Sequence, residues 1–294
     1  PILCPAPDMA TVAAHIGDCA AVITRDAGFS AAALAAAPKL KVVSVHGTGV
    51  DPVDIPACTV RGVLVCNTPG ANTQSVVEMA FGLALAAARR IPEADRRERA
   101  GSHGFREAGG FSELSGKTAL IVGWGNIGAR LGRALHAAFG MEILIHSPVC
   151  DDDFGFERVF DLEAALARAD LVSLHAPLVP ETRHLISARS LAAIKRGAIL
   201  VNTARAGLVD EAALAAALAD GRIAAAALDV YSEGAPTGPL AAFAGRVIFT
   251  PHLGGSTVES LRRVALAAAD NAIAACAGKV PATTLNLPRE RAMP

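Results

Sequence analysis

Leu120-Ile121-Val122-Gly123-Trp124-Gly125-Asn126-Ile127-Gly128 runs from an unbroken apolar stretch into glycines spaced GxGxxG. An apolar run without polar alternation reads as a strand buried on both faces, the kind found in parallel sheets. Residues 129–139 continue with helical character, so the glycines occupy a strand-to-helix turn. There Gly123 allows the tight reversal, Gly125 lets a pyrophosphate approach the backbone, and Gly128 lets the helix lie on the strand. The helix start offers free N–H groups and the positive end of its dipole to the same anion. The plainer alternative is a glycine-rich packing turn. A strand before the pattern, a helix after it and a second strand beyond favour the nucleotide.

Working outward, strands are expected over residues 118–123, 142–146, 170–174, 197–202, 222–228 and 246–249. Helices are expected between them over 126–139, 161–168, 187–194 and 210–219. Apolar strands regularly separated by helices predict a doubly wound parallel sheet. A shorter alternation precedes it, with strands near 20–23, 40–45 and 62–66. A long helix is expected over about 75–99, kinked or split by Pro92. Glycines at 101, 104, 109 and 110 mark 100–116 as a linker, and a last helix over about 258–277 can return to the first domain. The expected fold is α/β, two doubly wound parallel-sheet domains with a Rossmann domain inserted in a flavodoxin-like one. Residues 1–99, completed by 271–294, form the expected substrate domain, and 100–270 the dinucleotide domain.

Composition narrows the function. Apolar residues make up 52% of the 294, but aromatics only 4%, which suits helices packed closely on sheets. A net charge of −1 with interspersed signs leaves no footprint for nucleic acid. The six cysteines form no CxxC pair, which argues against a metal site and for reduced thiols in a cytoplasmic protein. The longest apolar stretch, residues 76–88, is interrupted by Glu78 and too short for a membrane span, and no signal peptide is visible.

Three strand ends carry candidate chemistry. Ala198-Ile199-Leu200-Val201-Asn202-Thr203-Ala204-Arg205 ends in a guanidinium that can hold a carboxylate and polarise a neighbouring carbonyl, or can be a plain loop-start arginine. Asp229, after the next strand, can accept from a carboxamide or a ribose hydroxyl, or simply fix its loop. In Thr250-Pro251-His252-Leu253-Gly254-Gly255, an imidazole stands between a proline and two glycines after an apolar strand. An imidazole titrating near neutrality can give a proton to a carbonyl oxygen and take it back in reverse. His46, before Gly47-Thr48-Gly49, is a candidate from the first domain.

The runs GWGNIG (123–128), SLHAPLVPET (173–182), VNTARAGLVDEAAL (201–214), AALDVY (226–231) and TPHLGGST (250–257) resemble the D-isomer-specific 2-hydroxyacid dehydrogenase family. HGTGVDPVDI (46–55) and VCNTPGANTQSVVEMAFGLAL (65–85) extend the likeness into the first domain. The phosphoglycerate and hydroxypyruvate dehydrogenase branch is the most similar. The resemblance implies hydride transfer between a nicotinamide and a small D-2-hydroxy or 2-oxo acid. It assigns His252 as acid/base and Arg205 to the carboxylate, with Gly47, Thr48 and Gly49 holding the substrate by backbone groups. It places Gly123, Gly125, Asn126, Ile127, Gly128, Thr203, Ala204, Asp229, Gly254 and Gly255 around the cofactor, and implies a homodimer through the cofactor domain.

Some positions depart from that pattern. The glutamate that partners the histidine stands five residues after the strand-end aspartate in the family. Here Gly234 holds that position and Glu233 precedes it, so either Glu233 takes the role or the pair is broken. Ser147 stands 19 residues after Gly128, where a ribose-binding Asp or Glu is expected. That removes repulsion towards a 2′-phosphate. However, no Arg or Lys follows directly and Asp151-Asp152-Asp153 lies just beyond, so NAD is favoured, with NADP possible. Few basic residues in the first domain favour small unphosphorylated acids over phosphoglycerate. The alternative reading is an NAD(H)-sensing, corepressor-like binding protein without catalysis.

Overall fold

The computed structural model describes residues 1–148, 150, 153 and 155–287. Asp151, Asp152 and residues 288–294 of the expected first-domain completion lie outside the described residues. The chain divides into two compact units, residues 1–72 with 257–294 and residues 73–256.

The first unit carries α1 (Met9–Ile16), β1 (Ala21–Thr24), α2 (Ala31–Ala35), β2 (Val42–Val45), α3 (Ile55–Val60) and β3 (Leu64–Cys66). The three strands pair in parallel in the order β1-β2-β3. Asp8, Ser30 and Asp54 begin the three helices by accepting N–H groups of the first turn, which would otherwise lack partners. One face of the sheet, with Val43, Val45 and Val65, packs on Phe29, Leu34 and Ile16. The other, with Val42 and Cys66, packs on Ala272 and Ala275 of the final long helix, Val258–Cys276.

The second unit opens with α4 (Thr73–Arg89) and α5 (Ile91–Arg99). The expected single helix is split rather than kinked. Arg90 takes a left-handed φ of 52° and Pro92 sits in the first turn of α5, where its missing N–H has no helical partner to lose. After these come β4 (Thr118–Val122), α6 (Asn126–Phe139), β5 (Glu142–His146), β6 (Glu157–Arg158) and α7 (Leu162–Leu166). They are followed by β7 (Leu171–Leu174), α8 (Ala188–Ala193), β8 (Ala198–Asn202), α9 (Glu211–Ala219), β9 (Ile223–Leu228) and β10 (Val247–Phe249). The helix Val258–Cys276 is α10.

The seven strands are parallel in the order β10-β9-β8-β7-β4-β5-β6. Successive residues of each strand point to opposite faces. Leu120, Val122, Val172, Leu174 and Leu200 therefore meet Leu166, Leu191, Leu214 and Leu218 of α7–α9. Ala119, Ile121, Ile143, Ile145 and Val201 meet Val77, Leu83 and Ala84 of α4 and Leu131 and Leu135 of α6. Because α4 covers this sheet, the boundary falls at Asn72/Thr73 rather than at 99/100, and the later one at Ser256/Thr257 rather than at 270/271. Chain order reverses direction across the sheet between β4 and β7, the position at which open parallel sheets bind ligands beyond their carboxyl ends.

Candidate active site

The glycine turn joins β4 to α6 at that reversal. Gly123 has φ +95°, and a Cβ there would lie 2.7 Å from the backbone carbon of His175. A Cβ at Gly128 would lie 2.0 Å from the Gly123 carbonyl oxygen and 2.9 Å from Cγ2 of Ile121. Both glycines are therefore required by the protein's own packing. Gly125 differs, because nothing lies within 4 Å of where its Cβ would stand. It precedes the first residues of α6, Asn126 and Ile127, and supplies no side-chain cap, so the first-turn N–H groups face outward without a capping oxygen. Openness at Gly125 alone is what a close backbone approach to an anion needs.

His175 closes the other side of this turn. Its N–H donates to the Val122 carbonyl at 2.7 Å, and its Nε2 lies 2.8 Å from Ser173 Oγ. Burial pushes its imidazole down from the ordinary 6.5 to about 4, so it stays neutral at physiological pH.

At the end of β8 the buried Asn202 shapes the next turn. Its Nδ2 donates to the Arg205 carbonyl at 2.9 Å and its Oδ1 accepts the Ala204 N–H at 3.0 Å. Arg205 then opens a short 3-10 turn, with Nη1 donating to the Ala204 carbonyl at 2.7 Å. Between them the Thr203 hydroxyl oxygen is buried with no hydrogen-bond partner among the described residues. A buried hydroxyl without a partner is costly unless a ligand supplies one.

Asp229, 1% exposed, ends β9, and its carboxylate is fully engaged by the His252 loop. Its Oδ1 accepts the Thr250 hydroxyl at 2.5 Å and the Leu253 N–H at 2.8 Å, and its Oδ2 accepts the Gly254 N–H at 2.8 Å. Its backbone carbonyl accepts the His252 N–H at 3.0 Å. Within this clamp His252 is exposed and held at φ 54°, a left-handed conformation that costs a non-glycine residue about 1–2 kcal/mol. The loop is anchored below by Ser75 Oγ, which donates to the Gly254 carbonyl at 2.6 Å. A Cβ at Gly254 would lie 3.0 Å from Asp229 Oδ2, so a larger residue there would press on the clamp, and Gly255 continues the turn half-buried. Of the two roles open to Asp229, loop fixing is the one its hydrogen bonds perform.

Glu233 lies exposed in the turn after β9. Its neighbour Ser232 is tied to Glu211 by its N–H and its hydroxyl, but among the described residues no hydrogen bond or ion pair joins Glu233 to His252. Ser147 ends β5 with its backbone carbonyl bonded to Arg158, a residue that sequence spacing did not connect with it. Asp153, the described member of the acidic triplet, accepts the Gly155 N–H at 2.9 Å.

In the first unit, Gly47, Thr48 and Gly49 follow β2. The Gly47 N–H donates to the Val45 carbonyl, and the Gly47 carbonyl accepts both the N–H and the hydroxyl of Thr68. The Thr48 carbonyl accepts Asn67 Nδ2 at 2.9 Å. Among the described residues, the N–H groups of Thr48 and Gly49 donate to no protein acceptor, so these two are available to an anion. Sequence reading missed the anchors Asn67, Thr68 and Ser75 because each acts through a partner on another element.

Residues 81–254 match the family model of the D-isomer specific 2-hydroxyacid dehydrogenase NAD binding domain. A D-3-phosphoglycerate dehydrogenase of Mycobacterium tuberculosis is 42% identical over 289 residues, covering 96% of this chain and 54% of that protein. The chain thus spans about half the length of this relative. A glyoxylate reductase of Aeropyrum pernix is 42% identical over 267 residues, covering 86% of this chain and 78% of that protein. The crystal structure of the TT0316 protein of Thermus thermophilus superposes with a TM-score of 0.86 at 34% identity, covering 97% of this chain and 91% of that one. The chain belongs to the D-isomer specific 2-hydroxyacid dehydrogenases, and its second unit is their NAD-binding domain.

Proposed function

We propose that this chain reduces small 2-oxo acids, or oxidises the matching D-2-hydroxy acids, with a nicotinamide dinucleotide. The observation that carries the reading is the Asp229 clamp. It spends a buried carboxylate and a strained backbone on presenting one exposed imidazole at the carboxyl end of a parallel sheet. The open approach to Gly125 and the partnerless Thr203 hydroxyl fit a bound dinucleotide.

In this reading Arg205 binds the substrate carboxylate and its charge polarises the adjacent carbonyl. His252 gives a proton to the carbonyl oxygen during reduction and takes it from the hydroxyl during oxidation. The nicotinamide, when bound, supplies or accepts the hydride. Thr48 and Gly49 N–H groups are proposed as further carboxylate donors. Glu233 is proposed as a positioning carboxylate that sets the tautomer of His252. A homodimer through the cofactor domain and a cytoplasmic location complete the proposal.

The test is a panel of 2-oxo acids, hydroxypyruvate, glyoxylate and phosphohydroxypyruvate included, with NADH and NADPH. Turnover of a small unphosphorylated acid, reduced at least a thousandfold by His252→Ala and raised strongly in KM by Arg205→Ala, is the expected result. No turnover on any acid would overturn it. The unjoined Glu233 and His252 favour a second reading, a dinucleotide-sensing binding protein. Tight dinucleotide binding without turnover, with a protein partner released or recruited by NADH, would select that one.

A further inference from the structure

We infer that the adenosine end of the dinucleotide site is built for a 2′-phosphorylated ribose, with Arg158 as its cation, so that NADPH binds more tightly than NADH. The inference rests on the dinucleotide reading above. It begins at Ser147, which ends β5 where an acidic side chain would accept the ribose hydroxyls and repel a phosphate. Along the chain no cation follows closely, because Arg158 is eleven residues further on. Strand pairing removes that distance. β6 runs parallel to β5 with Arg158 opposite Ile145, and the Val159 N–H donates to the Ile145 carbonyl at 2.8 Å. His146 Nδ1, 3.1 Å from the Val159 carbonyl oxygen, ties the two strand ends together.

The Arg158 side chain turns towards the carboxyl end of β5. Its Nε and Nη2 donate to the Ser147 carbonyl at 3.2 and 2.9 Å, and Nη2 also donates to the Pro148 carbonyl at 2.8 Å. Its face lies 4.8 Å over the Phe160 ring. All of these partners are neutral. Among the described residues no carboxylate pairs with Arg158, whereas nearby Arg168 is engaged by both Glu142 and Glu157. A full positive charge is therefore held beside Ser147 by backbone carbonyls and a ring, with Nη1 donating to no described acceptor. A guanidinium already ordered in this way loses little freedom on meeting a phosphate, and its planar fork suits phosphate oxygens. No carboxylate at position 147 opposes the approach, and Asp153 accepts the Gly155 N–H, so the assignment reverses the preference for NAD that the sequence alone suggests.

The experiment titrates NADH and NADPH separately into the full chain and follows nicotinamide fluorescence or heat, with no substrate present. NADPH is expected to bind at least tenfold more tightly than NADH. Arg158→Gln should weaken NADPH tenfold or more and NADH by less than threefold, and Arg158→Lys should recover part of the loss. Ser147→Asp, which leaves Arg158 in place, should reverse the preference. Tighter binding of NADH by the unaltered chain, or equal weakening of both dinucleotides by Arg158→Gln, would overturn the assignment while leaving the dinucleotide reading intact. Failure to bind either dinucleotide would overturn that reading and this assignment together.

Discussion

Asp229 shows how one side chain can set a site without touching a substrate. Its two oxygens hold three donors, and removing them leaves the buried Gly254 N–H and the part-buried Leu253 N–H without acceptors. Each such loss costs about 1–3 kcal/mol, so Asp229→Ala should lower stability by about 3 kcal/mol in urea unfolding. It should also release His252 from its left-handed backbone and depress kcat more than cofactor affinity. Glu233 makes no comparable bond, and its proposed role shows only in kinetics. Glu233→Gln should lower kcat about tenfold while leaving dinucleotide Kd unchanged, through loss of the group that fixes the imidazole tautomer; an unchanged kcat would remove Glu233 from the site. His175 acts in another way. Its folded pKa of about 4 lies below the ordinary 6.5, so the unfolded chain binds a proton first as pH falls. Its contribution to stability is complete above pH 6.5 and is lost progressively as pH falls to 4, by up to about 3 kcal/mol. His175→Gln should flatten the pH dependence of Tm across that window.

At the scale of the element, the strand-turn-helix β4–α6 separates glycines that serve the fold from Gly125, which is proposed to serve a ligand. Gly128→Ala forces a methyl group against the Gly123 carbonyl and Ile121, and should cost about 1–3 kcal/mol despite the better helix propensity of alanine. Gly125→Ala meets open space at an ordinary φ of −90°, so it should fold with unchanged Tm. Its methyl group would nevertheless stand where a pyrophosphate must approach, and dinucleotide Kd should rise tenfold or more in a binding titration. Coincident loss of stability and binding in both variants would contradict this division. β6 makes the complementary point. Two polar residues have no signature of a strand, yet their pairing with β5 is what brings Arg158 to Ser147.

At the scale of the molecule, each unit has its own core and its own return of distant chain. In the first, α10 comes back after residue 256 to place Asn271, whose Nδ2 donates to the Asn67 carbonyl at 3.0 Å and whose Oδ1 accepts the Thr283 hydroxyl at 2.9 Å. Asn271→Leu leaves these groups unpaired and should cost about 2 kcal/mol in that unit. The second unit, with its separate core, should keep its dinucleotide affinity. Calorimetry with and without NADPH checks both claims, since a ligand at a hundred times its Kd stabilises the unit that binds it by about 2.7 kcal/mol. Movement of both transitions by equal amounts would show that the units do not unfold separately.

Local pattern determined much of this protein. Apolar runs between helices required a parallel sheet, and the bounds of α6 and β5 are those the pattern predicts, because polar Glu142 and His146 bracket the apolar run of β5 and Gly125 and Gly140 flank α6. The glycine turn, Arg205 and His252 were legible for a similar reason, since glycine spacing and a polar tip on an apolar strand are local signals. Side-chain partners were not. Asp229 reaches across some twenty residues to the His252 loop, Ser75 holds Gly254 from another helix, and α4 belongs to the sheet it covers rather than to the segment it follows. Arg158 meets Ser147 only through strand pairing, and Glu233, one residue before the position the family gives its glutamate, makes no bond to His252. Hydrophobic period is written along the chain, whereas a hydrogen bond between distant residues exists only once the sheet has brought its strand ends together.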